Sequence, residues 1–287
     1  MKLITIAVLG VSLAAYAETE ERLNKSFKAQ PGGQLVVDVD FGSIEVTPSD
    51  GSEITVDVVR KIHRGDKEAE QAFLKDRPIT ISQDGNTLTV RSRAETKNWS
   101  WRGSQRTEGK YTLKVPAQFN TDVRTSGGSI TLNGLTGEAK AKTSGGSIKA
   151  AELRGSLNAH TSGGSIRANN VEGPIAVKTS GGSIDIANAK GKVEASTSGG
   201  SVSASFESPI SDEVQLKTSG GGVTLKVPET SAFDLDASTS GGSVSSDLAV
   251  KTDGGKPKRT SLRGPVNGGG KPVVLRTSGG SVKVKKA

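Results

Sequence analysis

The chain has 287 residues, with 38 Lys and Arg against 30 Asp and Glu, and a formal net charge of +8. It has no cysteine, which excludes disulfides, thiolate metal sites and cysteine nucleophiles. Glycine supplies 37 residues, about 13% against a usual ~7%, without collagen's three-residue period, and aromatics at 3% are too few for a thick core of large rings.

The first 17 residues read as an export signal. Lys2 is a short positive region, Leu3 to Ala14 is apolar, and Ala15-Tyr16-Ala17 is a small-x-small cleavage site before Glu18. The apolar run falls short of the roughly 20 residues a membrane helix needs. No Cys follows it to take a lipid, and no second long apolar run occurs. The expectation is an exported mature chain, 18–287, in the periplasm or at the cell surface and not membrane-spanning.

Residues 18–120 read as an N-terminal β region. Residues 18–30 form a polar lead-in. From Gln34 the chain alternates as Leu-Val-Val-Asp-Val-Asp-Phe-Gly-Ser-Ile-Glu-Val, a strand with a Gly-Ser corner. Ile54 to Val59 and Leu88 to Val90 alternate likewise. Asp66 to Asp76, with Ala69, Ala72 and Phe73, is a short helix before Pro78 that would cover the first coil. Lys97 to Gly109 reads as a polar loop carrying Trp99 and Trp101.

Residues 121–287 are a repeat. Thr-Ser-Gly-Gly begins at Thr125, Thr143, Thr161, Thr179, Thr197, Thr218, Thr239 and Thr277, with spacings of 18, 18, 18, 18, 21, 21 and 38. Residues two and four before each Thr are mostly aliphatic, and Ile or Val stands five after it. This period of two marks strands whose Thr and aliphatic side chains face one way. Gly-Gly marks a corner of positive φ. Gly137, Gly155, Gly173 and Gly191 mark a second corner in each 18-residue unit. In the long last gap, 251–271 reads either as a degenerate coil around Arg259-Thr260-Ser261 or as an insertion loop.

Two architectures fit. One is an antiparallel meander with Gly-Gly hairpins. The other is an all-β solenoid, a parallel β-helix-like stack of 18–21-residue coils about 4.8 Å apart. The solenoid explains more, because in-register stacking rewards identity at every position and a meander does not.

Three segments resemble a known family: Tyr111-Thr-Leu-Lys-Val-Pro116 leading into Val123-Arg-Thr-Ser-Gly-Gly-Ser-Ile130, Leu225-Lys-Val-Pro228 before Thr239, and Gly268-Gly-Gly-Lys-Pro-Val-Val-Leu-Arg-Thr-Ser-Gly-Gly280. The family is that of the exported bacterial β-strand-repeat proteins called "putative adhesins". The resemblance implies a right-handed β-helix-like fold and brings no catalytic motif.

The residue before each Thr is Arg124, Lys142, His160, Lys178, Ser196, Lys217, Ser238 or Arg276, so six of the eight are basic or can become so. They alternate with inward threonines and so face out, as an anionic-ligand stripe or as a solvated face. Trp99 and Trp101 share a strand face and would either stack on sugar rings or plug a coil end. Asp122, Glu194 and Asp236 share one outward column, but Lys140, Asn158, Ala176, Gln215 and Val274 interrupt it, so the paired carboxylates of glycan-cleaving chemistry are missing. The glycine repeat lacks the Asp of calcium-binding β-rolls. No cofactor, metal or nucleic-acid motif appears. The expectation is a non-enzymatic binding protein that presents a rigid solenoid surface to anionic envelope or extracellular polysaccharide, or to another surface protein. The alternative is a structural scaffold without a small ligand.

Overall fold

The computed structural model describes residues 19–63, 66–94, 106–252 and 258–287. The export signal, Trp99 and Trp101 lie outside the described residues. Two compact units divide the chain between Gly146 and Ser147.

The first unit contains β1 (Thr19–Lys28), β2 (Gly33–Val39), β3 (Ser43–Pro48), β4 (Glu53–His63), α1 (Lys67–Asp76), β5 (Thr80–Asp84), β6 (Thr87–Ser92), β7 (Arg106–Val115), β8 (Phe119–Thr125), β9 (Ile130–Asn133) and β10 (Ala139–Thr143). One sheet runs β1-β4-β7-β3-β9 and the other β10-β8-β2-β6-β5. β3 pairs parallel with β7 and β9, and β2 with β6 and β8. The alternation read from Gln34 is realised: Leu35, Val37, Val39, Ile44 and Val46 are all buried between the sheets.

The second unit contains β11 (Ile148–Arg154), β12 (Leu157–Thr161), β13 (Ile166–Glu172), β14 (Ile175–Lys178), β15 (Ile184–Lys190), β16 (Val193–Thr197), β17 (Val202–Ser205), β18 (Val214–Thr218), β19 (Val223–Val227), β20 (Phe233–Thr239), β21 (Val244–Ser246), β22 (Ser261–Val266), β23 (Lys271–Thr277) and β24 (Val282–Lys286). Its sheets run β11-β13-β15-β17-β19-β24-β21 and β22-β20-β23-β18-β16-β14-β12. Ile148, Ile166, Ile184, Val202, Val223 and Val282 stand in one parallel, in-register column. Leu157, Ile175, Val193, Val214 and Val273 form the facing one. All ten are buried. Each unit is therefore β-solenoid, with two largely parallel sheets stacked on their apolar faces. The meander is excluded for the repeat, and among the described strands the antiparallel pairs are β1/β4, β4/β7, β5/β6 and β20/β22.

Every part of the Thr-Ser-Gly-Gly corner but the first serine side chain has a bonding role. Thr143, Thr179, Thr239 and Thr277 each accept from the second glycine N–H of their own corner, at 3.2–3.4 Å. Each donates its hydroxyl to the second glycine carbonyl of the coil beneath, at 2.6–2.8 Å. The first glycine N–H donates to the carbonyl of the first serine one coil below, as at Gly181, Gly199 and Gly220. The serine after the glycines accepts on Oγ from the next coil's N–H, as Ser165 does from Ser183 at 3.1 Å. A buried hydroxyl without such partners would cost about 1–3 kcal/mol.

The structure corrects several expectations. The Gly-Gly pairs are not positive-φ turns; only the second corners, Gly137, Gly155, Gly173 and Gly191, adopt φ of 117–141°. The second glycine of each pair is required by close approach of stacked backbones. A Cβ on Gly128 would sit 1.9 Å from the Gly42 carbonyl oxygen, whereas one on Gly127 meets nothing nearer than 4.0 Å. Residues 19–28 are not a polar lead-in but the strand β1, and Arg106 to Gly109 belongs to β7 rather than to a loop. Of the segment 251–271, the described residues Ser261–Val266 form β22, which runs antiparallel along β20 rather than as a parallel coil or a plain loop.

Coils also stack out of chain order. The last coil, β23–β24, lies between β18–β19 and β20–β21. In the first unit, the early β2–β3 coil lies between β6–β7 and β8–β9.

The helix α1 begins on Asp66, whose Oδ1 accepts from the Ala69 N–H at 2.7 Å, and carries Glu68 and Glu70 in its first turn, where the helix dipole favours acids. It buries Phe73 against Phe41 at 5.5 Å between ring centroids, while Ala72 stays exposed. Nearby, the alternation of β4 points Arg60 into the core. Its guanidinium is fully buried, bonded to Glu21, the Arg77 carbonyl and Ser92. The buried Tyr111 hydroxyl lies beside Arg60 and Ser92 and completes no hydrogen bond. Burial pushes this phenol above its ordinary value, against the opposing pull of the Arg60 charge.

Two outcomes follow. Gly128→Ala should cost about 3 kcal/mol or more, because backbone rather than a flexible side chain blocks the new methyl. Gly127→Ala should stay within about 0.5 kcal/mol, and denaturant midpoints of the pair decide the point. Tyr111→Phe should be neutral or stabilising at pH 8, since it removes an unbonded buried hydroxyl. The unfolded phenol ionises near pH 10 while the folded one holds its proton. Native stability therefore falls as pH rises through about 10 toward the raised value, and denaturation at pH 8 and 10.5 should show the variant gaining over the parent.

Candidate functional site

The residue before each inward threonine faces out of its sheet, as the alternation requires. In the second unit the register places His160, Lys178, Ser196, Lys217, Arg276 and Ser238 in one column. Neighbours in it are one coil apart, about 4.8 Å. In the first unit Arg124 stands beside Lys142 on β8 and β10.

These cations differ in what surrounds them. Arg124 is held by its own strand: Nε and Nη2 bond both oxygens of Asp122 at 2.9 and 2.8 Å. Arg276 pairs with Asp236, which also takes Arg263 at 2.8 Å. Arg124 thus has a carboxylate to itself, whereas Arg276 shares one with Arg263. Lys142, Lys178 and Lys217 are exposed and make no ion pair among the described residues. His160 is half-buried beside Lys178.

The carboxylate column is also resolved. Asp122 and Asp236 are engaged by arginine, while Glu194 lies between Ala176 and Gln215. No three His, Asp or Glu side chains gather as metal ligands among the described residues. An open groove by the ends of β1 and β4 is lined by Lys28, Asp50, Glu53, Asn86 and Lys114, with charges of both signs.

Two features were not read from the repeat. On the outer face of the other sheet, Lys226 on β19 stands beside Lys285 on β24, with Lys283 two residues earlier. All three are exposed, and Asp247, bonded through its N–H to the Val284 carbonyl, is the nearby acid. The signal was the Leu-Lys-Val and Val-Lys-Val-Lys-Lys alternation, visible only if strands after the glycines are scanned as those before them were. Glu152, Asn170 and Asn188 adopt φ of 52–55° and form a side-chain ladder, with Asn188 donating to Asn170 at 2.8 Å. Just beyond it, Glu172 sits between Lys190 at 2.7 Å and Arg154 at 3.6 Å, and the Lys190 ammonium holds its carboxyl below the usual carboxylate range.

The described residues include no helix long and apolar enough to cross a membrane. No curated protein matches the chain. Among crystal structures, a "putative adhesin" from Bacteroides fragilis NCTC 9343 is 14% identical, with 93% of this chain and 97% of that one covered and a TM-score of 0.45. A "putative cell adhesion protein" from Clostridium sporogenes ATCC 15579 is 12% identical, covering 94% and 100%, with a TM-score of 0.33. A "putative lipid binding protein" from Parabacteroides distasonis ATCC 8503 is 15% identical, covering 93% and 96%, with a TM-score of 0.39. The family model described as Toastrack DUF4097 matches residues 33–285, strands β2 through β24, and the chain belongs to that family.

Proposed function

We propose that this chain is an exported, non-enzymatic adhesin whose outer sheet face binds anionic polysaccharide of the cell envelope or its surroundings. One observation carries the reading: Lys178 and Lys217 stand in a single outward column on either side of Ser196, with Arg276 next to Lys217, and both are exposed and without an acidic partner among the described residues. Like charges held in a ladder repel, and a bound polyanion relieves that repulsion. Lys142 has the same character beside Arg124. The backbone beneath is held in register by the Thr–Gly bonds, so the points from which these lysines project are fixed while their side chains stay free to adapt to a polymer. Arg124 contributes less, because Asp122 already compensates it, and Arg276 is compensated in part by the Asp236 it shares with Arg263.

A scaffold role without a small ligand is the second reading. The ten-residue strand β1, which ends its sheet among the described residues, favours it.

The test is binding of the purified chain to dextran sulfate and to neutral dextran at low and high salt. Saturable binding to the sulfated polymer alone, weakening with salt, is expected. The double variant Lys178→Glu/Lys217→Glu should weaken it about tenfold and leave the thermal melt unchanged. Binding that ignores the double reversal, or no polyanion binding at any salt, would remove this site.

A further inference from the structure

Among the described residues four strands end a sheet, β1, β5, β21 and β22, and of these β22 is partly covered by the Val250–Val266 bridge and the Lys251 N–H on the Pro265 carbonyl. Such edges are templates for further pairing unless they are short, carry charge, contain proline or are distorted. Three are guarded by length or backbone. β21 has three residues, β5 has five, and β22 contains Gly264 at φ 146° followed by Pro265. β1 has its charges alone. It has ten residues without glycine or proline and pairs residue for residue with β4, from Thr19↔Ile62 to Lys28↔Glu53, so no bulge bends it. In an antiparallel ladder every second residue's backbone N–H and C=O then point away from the partner strand, toward the open edge.

We propose that β1 is a dimerisation strand that pairs antiparallel with β1 of a second copy of this chain, centred on Asn24. Charge complementarity selects this occupant and register. About that centre Glu20 faces Lys28 of the other copy, twice by symmetry, and Arg22 faces Ser26. On the inner side Leu23 faces the stem of Lys25, and Glu21 faces Phe27. No like charges meet. Sliding the register by one pair toward the C-terminus sets Arg22 against Lys28 and Lys25 against itself. Sliding it the other way needs Glu21 for Lys25, but Glu21 is already bonded to the buried Arg60. Lys28 is exposed and makes no ion pair among the described residues, and Glu20 has only the exposed Arg22 of its own strand. The interface is isologous, so it closes at two copies. It does not rest on the anion-binding reading.

Sedimentation velocity of the full chain over a concentration series tests it. A monomer–dimer equilibrium is expected. Glu20→Lys and Lys28→Glu should each weaken it about tenfold, because each sets like charges face to face twice. An equimolar mixture of the two variants should recover association, since each reversed strand then meets its complement. Unchanged thermal melts would show that both variants fold. A parent chain that stays monomeric at every concentration overturns the proposal. So does association that ignores both reversals, or a mixture that fails to recover it.

Discussion

The hydroxyl of Thr179 accepts the Gly182 N–H of its own corner and donates to the Gly164 carbonyl one coil away. The same pair of bonds recurs at Thr143, Thr239 and Thr277. This bridge sets the local geometry of the stack. It satisfies a corner amide and a corner carbonyl that no strand partner reaches, in a place where water is excluded. It also brings the second glycines so near one another that a methyl on Gly182 would lie 2.1 Å from the Gly164 oxygen. Threonine is needed because its hydroxyl both accepts and donates, and glycine because nothing larger fits. With the corner held, register follows, and the aliphatic columns of both sheets fall into line.

Register, once set, fixes what faces outward. Columns of like residues on the buried face pack well. Columns of like charges on the exposed face repel unless something compensates. The chain shows both outcomes. Arg124 and Arg276 have acidic partners, while Lys178 and Lys217 have none among the described residues. That contrast carries the proposed anion-binding face.

A repeat stack must also end, and here the chain departs from its own rule. β1, β4, β5 and β22 run antiparallel to their neighbours, and α1 lays Phe73 over the first unit's core beside Phe41. Arg60 sits at this end, fully buried, because antiparallel β4 keeps the alternation going past the apolar residues while Glu21, Ser92 and the Arg77 carbonyl satisfy its charge. Of the four strands that end the sheets among the described residues, β5 and β21 are short and β22 is broken by proline. β1 is long and regular, and for that reason carries the dimerisation proposal.

The amino-acid sequence by itself determined the coil and its two faces. Period-two alternation around a repeated Thr-Ser-Gly-Gly admits one inward set, and every threonine and aliphatic residue two before it is buried as that pattern requires. The outward direction of Arg124, Lys142, His160, Lys178, Lys217 and Arg276 followed from the same parity. Tertiary structure decided what local pattern cannot encode. Periodicity does not say which coil lies next to which, because all coils share one pattern; only the whole chain places β23–β24 between β18–β19 and β20–β21. It does not reveal why glycine is needed, because an approach between residues 18 apart is invisible to a local φ argument. Nor does it tell which cation finds an acid: Arg276 meets Asp236 forty positions away only because the last coil inserts beside β20.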